Sequence, residues 1–219
     1  MKPQLFVIFF LALFIVTGSC RKNKDEDISV RGTVFDPNLN VYVNDAYVTI
    51  SSIKVQSGIY NSNYQDIETV VTDYNGKFAF DIKKELASSY RIYIRKDNYF
   101  SYTVDISPDV LESGIVYSPT YNLFPEAYIK LHVKNTMPYD STDFIAYSFT
   151  NSNLNCYECC TNNVFKGYGE DYDYTLKCKT NGSQYIKMNW HVTKNGTDIS
   201  YKDSVFCIAF DTIFYQIYY

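Results

Sequence analysis

The chain has 219 residues, a formal net charge of −4, 46% hydrophobic residues and 18% aromatic residues: 23 Tyr, 15 Phe and one Trp. That hydrophobic content excludes a disordered chain, and the acidic balance excludes the basic field that nucleic-acid binding requires. Nine Gly and six Pro exclude collagen-like or Pro-rich sequence. What remains is a globular, aromatic-rich protein of one or two domains.

Met1-Lys2 is a short positive start, and Leu5 to Val16 is an unbroken apolar run. As a helix this run spans roughly 18 Å, short of the ~30 Å hydrocarbon core, so a secretory signal core is expected rather than a membrane span. Thr17-Gly18-Ser19-Cys20 follows and resembles the lipobox of bacterial lipoproteins, with Thr17 where Leu is usual. The resemblance implies cleavage that removes residues 1–19 and lipidation of Cys20. Residues 20–27 then form a polar tether, in which Lys24-Asp25-Glu26 resembles the export signal of Bacteroidetes surface lipoproteins. Together these imply an envelope protein, lipid-anchored in the outer membrane and surface-exposed, whose membrane contact is the N-terminal lipid.

From Ile28 the dominant period is two. Ile28, Val30, Gly32 and Val34 alternate with more polar neighbours, as do Ala46, Val48 and Ile50, then Phe78, Phe80 and Ile82, then Tyr90, Ile92 and Ile94. Such alternation predicts strands with one face in a core and one in water. Turn signals separate them at Asp36-Pro37-Asn38, Val43-Asn44-Asp45 and Asp73-Tyr74-Asn75-Gly76, where Asn75-Gly76 is expected to supply positive φ. Only Lys83 to Ser89 has room for a helical turn.

The order Val30-x-Gly32-x-Val34, Asp45-Ala46-x-Val48, Thr72-Asp73-x-x-Gly76-x-Phe78-x-Phe80 and Tyr90-x-Ile92 resembles the carboxypeptidase regulatory-like domain. That likeness covers residues 28–106 and implies a transthyretin-like β-sandwich, usually non-catalytic. Pro108, Pro119 and Pro125 interrupt the pattern, so residues 107–125 read as a linker. Alternation resumes at Ala127, Ile129, Leu131 and Val133. It continues through Phe144 to Phe149, Tyr172 to Cys178, Tyr185 to Val192, Val205 to Phe210 and Ile213 to Tyr219. Hairpin signals stand at Thr180-Asn181-Gly182 and Lys194-Asn195-Gly196. Residues 126–219 therefore read as a second β-sandwich, Ig-like or prealbumin-like, and the expected fold class is all-β with two tandem sandwiches. The terminal Asp211-Thr212-x-Phe214-x-x-x-Tyr218 is similar to the C-terminal halves of uncharacterised Bacteroidetes lipoproteins. No internal repeat is evident in the sequence, and the tether after Cys20 is its one low-complexity tract.

Candidate chemistry is sparse. His132 and His191 fall on outward strand positions and are expected to face water. Metalloprotease, nucleophile-elbow and phosphate-loop motifs are missing from the sequence. Cys156, Cys159, Cys160, Cys178 and Cys207 all lie in the second domain. An oxidising compartment predicts disulfides among them, two bridges and one odd thiol, with the pairing open and Cys159 not bridged to its neighbour Cys160. Zinc at Cys156-x-x-Cys159 lacks a second close pair. Glu170, Asp171 and Asp173 form no complete calcium loop. Asp140-Ser141-Thr142, Asp203-Ser204-Val205 and Asp211-Thr212-Ile213 resemble Bacteroidetes O-glycosylation triplets. Tyr42, Tyr47, Tyr60, Tyr64 and Tyr74, and later Tyr157, Tyr168, Tyr172 and Tyr174, fall in turns and outward positions, where tyrosine serves both half-wet strands and ligand contacts. The expected protein is a non-catalytic envelope module without cofactor or metal, of structural or binding role, with a glycan or another envelope protein as partner. A glycan-binding accessory of polysaccharide uptake should show a row of exposed aromatics on one face. An adhesin or appendage component should expose an edge strand able to accept another.

Overall fold

The computed structural model describes residues 27–56, 59–60, 63–112, 114–150 and 156–219. The polypeptide is all-β in two tandem sandwiches, as the alternation predicts. In the first, β1 (Asp27–Asp36) is the spine of one sheet. It pairs antiparallel with β2 (Val41–Tyr42) and β6 (Lys77–Lys83), and parallel with β9 (Val116–Tyr117) and β10 (Thr120–Asn122). The facing sheet is built on β3 (Tyr47–Gln56), flanked by β4 (Ile59–Tyr60) and β5 (Gln65–Val71) and by β7 (Ala87–Arg95), which carries β8 (Tyr102–Ile106). The predicted inward residues form the core: Ile28, Val30, Val34, Ala46, Val48, Ile50, Phe78, Phe80, Ile82, Tyr90, Ile92 and Ile94 are all buried.

The Thr-Asp-x-x-Gly-x-Phe segment has a physical reason at each position. The Thr72 hydroxyl donates to the Val43 carbonyl at 2.7 Å and accepts from the Ala46 N–H at 2.9 Å, clasping the β2–β3 connection. The Asp73 carboxylate accepts from the Asn75 and Lys77 N–H groups. Gly76 has φ +68°, and Phe78 enters the core. Asn75 stays at negative φ, so the positive-φ requirement falls on Gly76 alone and not on the Asn-Gly pair.

Two expectations are corrected. Residues 107–125 are not a free linker: β9 and β10 extend the β1 sheet, and Leu111, Tyr121 and Leu123 join the first core. Pro108 opens a 3-10 turn, Pro119 separates β9 from β10 and Pro125 lies between β10 and β11, so none stands inside a strand where its missing N–H would be needed. Lys83 to Ser89 holds no helical turn, since β6 runs to Lys83 and β7 begins at Ala87; a 3-10 turn sits instead at Pro108–Val110.

The second sandwich packs β11 (Glu126–Lys134), flanked by β14 (Asp173–Asn181) and β17 (Thr212–Tyr218), against β12 (Phe144–Phe149), β13 (Phe165–Tyr168), β15 (Gln184–Lys194) and β16 (Thr197–Cys207). Its core holds Ala127, Ile129, Leu131, Val133, Ile145, Tyr147, Phe149, Ile186, Met188, Val192 and Ile217. The last hairpin departs from the expected bounds. β16 starts at Thr197, not Val205, because the Asn195-Gly196 turn, with φ +47° and +68°, joins β15 to β16 directly.

The sandwiches meet through hydrogen bonds. Asn38 Nδ2 donates to the Gly182 carbonyl at 2.8 Å, and the Gly182 N–H donates to Pro125 at 2.7 Å. The Glu126 N–H donates to Asn98, and Tyr99 packs on Phe210 with ring centroids 5.3 Å apart. Burial, and then the neighbouring Asp36 carboxylate, push the Tyr99 phenol to about 12, so it stays protonated in this junction.

Candidate functional site

Cys20 lies outside the described residues. The other cysteines resolve the open pairing: Cys156 bridges Cys159, Cys160 bridges Cys178, and Cys207 is a buried free thiol. Burial pushes the Cys207 thiol up to about 11, so it is not a nucleophile at neutral pH. The Cys160–Cys178 bridge fastens residues 156–160 along the edge of β14. There the Lys179 N–H donates to Glu158 at 2.7 Å and the Cys160 N–H donates to Lys179 at 2.8 Å. The β14 edge is thereby capped at Lys179.

Both histidines are half-buried and paired on strand surfaces. His132 Nε2 lies 2.7 Å from Asp173, and His191 Nε2 lies 3.3 Å from Asp198. Lys134 also reaches Asp173 at 2.9 Å; that lysine first, and His132 with it, hold the Asp173 carboxyl below the usual range. Asp173 is thus engaged by side chains of the protein itself, and among the described residues no three His, Cys, Asp or Glu side chains gather as metal ligands.

The tyrosines divide. Tyr42, Tyr47, Tyr74, Tyr157, Tyr168 and Tyr174 are exposed, while Tyr64 and Tyr172 are half-buried; the Tyr60 side chain lies outside the described residues. Tyr172 covers Gly167, where a Cβ would lie 2.4 Å from its ring, so its role is packing. These residues scatter over both sandwiches and converge on no single face.

A different set does converge. On β11 the outward residues are Tyr128, Lys130, His132 and Lys134, because Ala127, Ile129, Leu131 and Val133 are buried. In register beside them stand Lys179, Lys177, Thr175 and Asp173 of β14, and Thr212, Phe214, Gln216 and Tyr218 of β17. The ammonium groups sit over rings: Lys130 is 5.3 Å from the Phe214 centroid and Lys177 is 4.7 Å from that of Tyr128. His132 meets Tyr218 edge-on at 5.7 Å. Phe214 is 70% exposed and Tyr218 51%. Lys179 is neutralised by Glu126 at 2.8 Å, but among the described residues Lys130 and Lys177 make no ion pair. Lys130 and Lys177 are direct cross-strand partners, an arrangement of like charges that weakens a sheet. In a chain of net charge −4, this face is locally basic and aromatic. Alternation made the outward set of β11 legible; the register that brings Lys177 and Phe214 beside it is not written in any local pattern.

No family model matches the chain, and no curated protein does. Among solved structures it is similar to the Bacillus anthracis TIE protein at 12% identity, covering 88% of this chain and 34% of that one with TM-score 0.38. It is similar also to a streptococcal ancillary pilin at 11% identity, covering 88% and 63% with TM-score 0.36. A third is the shaft pilin SpaA from Lactobacillus rhamnosus GG, at 9% identity, 88% and 96% coverage and TM-score 0.29. The chain thus spans about a third of the first of these and under two thirds of the second.

Proposed function

We propose that the chain is a non-catalytic envelope module, anchored through a lipid on Cys20, whose second sandwich binds an acidic glycan on the outward face of the β14–β11–β17 sheet. The carboxypeptidase regulatory-like order of the first sandwich fits an accessory rather than a catalytic role. The observation that carries the binding reading is the opposed Lys130–Lys177 pair, bracketed by Tyr128 and Phe214. A carboxylate or sulfate relieves the repulsion between the two ammonium groups, and the adjoining rings offer flat apolar surface to a sugar ring. Phe214 and Tyr218, four residues apart on one strand, extend that surface by about 13 Å. A polymer bound through lysines at an exposed face is held in a salt-dependent way.

The test is affinity electrophoresis of the full mature chain in gels containing polygalacturonate, heparin or neutral dextran. Retardation by the two polyanions, lost at high salt and in Lys130→Glu/Lys177→Glu, is the expected result, with Phe214→Ala weakening it. Equal retardation by dextran, or none by either polyanion, overturns the reading. For the anchor, Cys20→Ala should move the protein from the detergent-soluble membrane fraction to the soluble one; persistence in washed membranes overturns that part.

A further inference from the structure

The four-stranded sheet of the second sandwich ends in a long, unbulged edge strand. β16 pairs with β15 over eleven consecutive registered residues, without a bulge, and among the described residues no strand pairs with its other side. It contains no proline, and its charges are Asp198, Lys202 and Asp203, of both signs, whereas natural edge strands are commonly shortened, bulged, covered or loaded with lysine. In the other sheet the disulfide segment meets the β14 edge at Lys179.

The direction of the free backbone groups follows from the turn. A two-residue hairpin loop makes its flanking residues, Lys194 and Thr197, a hydrogen-bonded pair. Thr197, Ile199, Tyr201 and Asp203 therefore bond to β15, while Asp198, Ser200 and Lys202 point their N–H and C=O groups away from the sheet; the Ser204 N–H is taken by the Asp203 carboxylate. Side chains alternate independently. Ile199 and Tyr201 lie on the core side, opposite Val192 and Trp190, yet stay 47% and 42% exposed. Tyr201 stacks on Trp190 at 5.5 Å, beside a cleft of ≈ 340 Å³ between the two sheets. Asp198 and Lys202 lie on the outward side.

We propose that the occupant of this edge is a second copy of the chain, paired β16 to β16 about a two-fold axis through Ser200. Such an axis, perpendicular to the sheet, preserves faces, so each residue meets a partner of its own parity. Of the registers this allows, only the one centred on Ser200 opposes unlike charges: Asp198 faces Lys202 of the second copy, twice by symmetry. The same register opposes Ile199 to Tyr201, twice, on the core side. It makes Ser200–Ser200 and Asp198–Lys202 the hydrogen-bonded pairs, which matches the outward-pointing backbone groups, and Ile199–Tyr201 the close non-bonded pairs, where apolar side chains touch most. Lys202 has no ion pair among the described residues. Asp198 holds Thr193 and His191 of its own chain through Oδ1, so Oδ2 is the oxygen that would meet Lys202. The adjacent Asp203 is engaged by the Tyr215 hydroxyl of its own chain. The pairing centre lies near the Asn195-Gly196 tip, while the junction with the first sandwich is at Gly182, the other end of β15. The first sandwiches of the two copies therefore point away from each other. A self-complementary surface of this kind closes as a dimer. The inference is independent of the glycan-binding face, which lies on the opposite sheet.

The experiment is sedimentation of the full mature, unlipidated chain across a concentration series. The wild type should show a reversible monomer–dimer equilibrium. Asp198→Lys and Lys202→Glu should each weaken it by about tenfold or more, since each turns two attractive contacts into two repulsive ones. Mixing those two variants should restore association, because each then supplies the charge the other lacks. Ser200→Pro should abolish dimerisation while keeping the monomer's melting curve, since that N–H points off the edge. A wild type that stays monomeric at its highest soluble concentration overturns the proposal, as does a dimer indifferent to the charge reversals. If Ser200→Pro does not fold, the mixing experiment decides alone: failure of the mixed pair to associate overturns the register.

Discussion

Gly32 and Phe78 are cross-strand partners on β1 and β6, and a Cβ at Gly32 would lie 2.1 Å from the Phe78 ring. The ring lies across the glycine and is held from beyond by Phe80, edge-on at 5.7 Å, and by Tyr121, stacked at 6.2 Å. Gly32→Ala therefore forces the ring into an occupied core, at a cost of roughly 1–3 kcal/mol. Chemical denaturation of the variant measures it. Phe78→Leu in the same chain should recover part of the loss, because the two sites share one space.

Gly76 is constrained twice, by φ +68° and by the Val34 carbonyl, which a Cβ would approach to 2.4 Å. Gly76→Val should cost more than ~1 kcal/mol, since a β-branched residue tolerates positive φ badly. Gly196 has the same φ with open space around it, so Gly196→Ala should cost visibly less. Equal melting shifts for the two would mean that backbone strain dominates and the Val34 contact contributes nothing.

The two disulfides should differ in weight. Cys160–Cys178 closes a loop of 18 residues, which in the chain-entropy model corresponds to about 3 kcal/mol; Cys156–Cys159, with separation 3, constrains much less. Cys178→Ser should lower the melting temperature of the second sandwich and speed amide exchange along the β14 edge at Lys179. Cys156→Ser should change either little. Non-reducing peptide mapping checks the pairing, and exchange rates in the first sandwich should not respond.

Asp143 has no exposed surface, yet it is charged. Burial alone would raise its carboxyl, but the Tyr139 N–H at 2.9 Å, the Asn135 amide at 2.8 Å and the Lys194 ammonium at 3.8 Å bring it below the usual range. Because the folded value is the lower one, this stabilisation is complete above the unfolded carboxyl's value of about 3.9 and is lost as pH falls through the folded value. Asp143→Ala takes the acceptor from the part-buried Tyr139 N–H and leaves the buried Asn135 amide with the Gly169 carbonyl at 3.2 Å, at a cost of roughly 1–3 kcal/mol in all. Wild type minus variant stability should be flat from neutral pH to about pH 4 and shrink below it. A difference that grows on acidification would contradict this.

The strands that alternate cleanly were legible because their faces differ: Ile28 to Val34, Phe78 to Ile82 and Ala127 to Val133 each put one parity in the core. β9 and β10 were not, since two- and three-residue strands carry no period and Pro119 argued against them. The long first part of β16 was missed for the opposite reason. Thr197 to Ser204 is exposed on both faces, so its sequence carries no apolar alternation, and only the Asn-Gly turn signals it. The number of disulfides was readable from compartment chemistry, but their pairing depends on where β14 runs. The basic face shows the same divide: each strand's outward residues can be listed from parity, while the Lys130–Lys177 and Lys130–Phe214 neighbours exist only once register is fixed.

The junction supplies the last prediction. A Cβ on Gly182 would lie 2.5 Å from the Ala209 backbone, within the second sandwich, while the peptide groups of Gly182 bond Pro125 and Asn38 across the junction. One residue thus closes a turn and joins the two sandwiches. Asn38→Ala removes only the cross-junction bond and should cost roughly 0.5–1.5 kcal/mol. Gly182→Ala displaces the turn as well and should cost more, and the double variant should lose less than the sum because the Asn38 bond is already weakened. Calorimetry distinguishes the cases. In the wild type, docking should make the two sandwiches unfold in one transition, and Gly182→Ala should separate it into two. A single unshifted transition in Gly182→Ala would show that the junction carries no coupling and that each sandwich is stable by its own core alone.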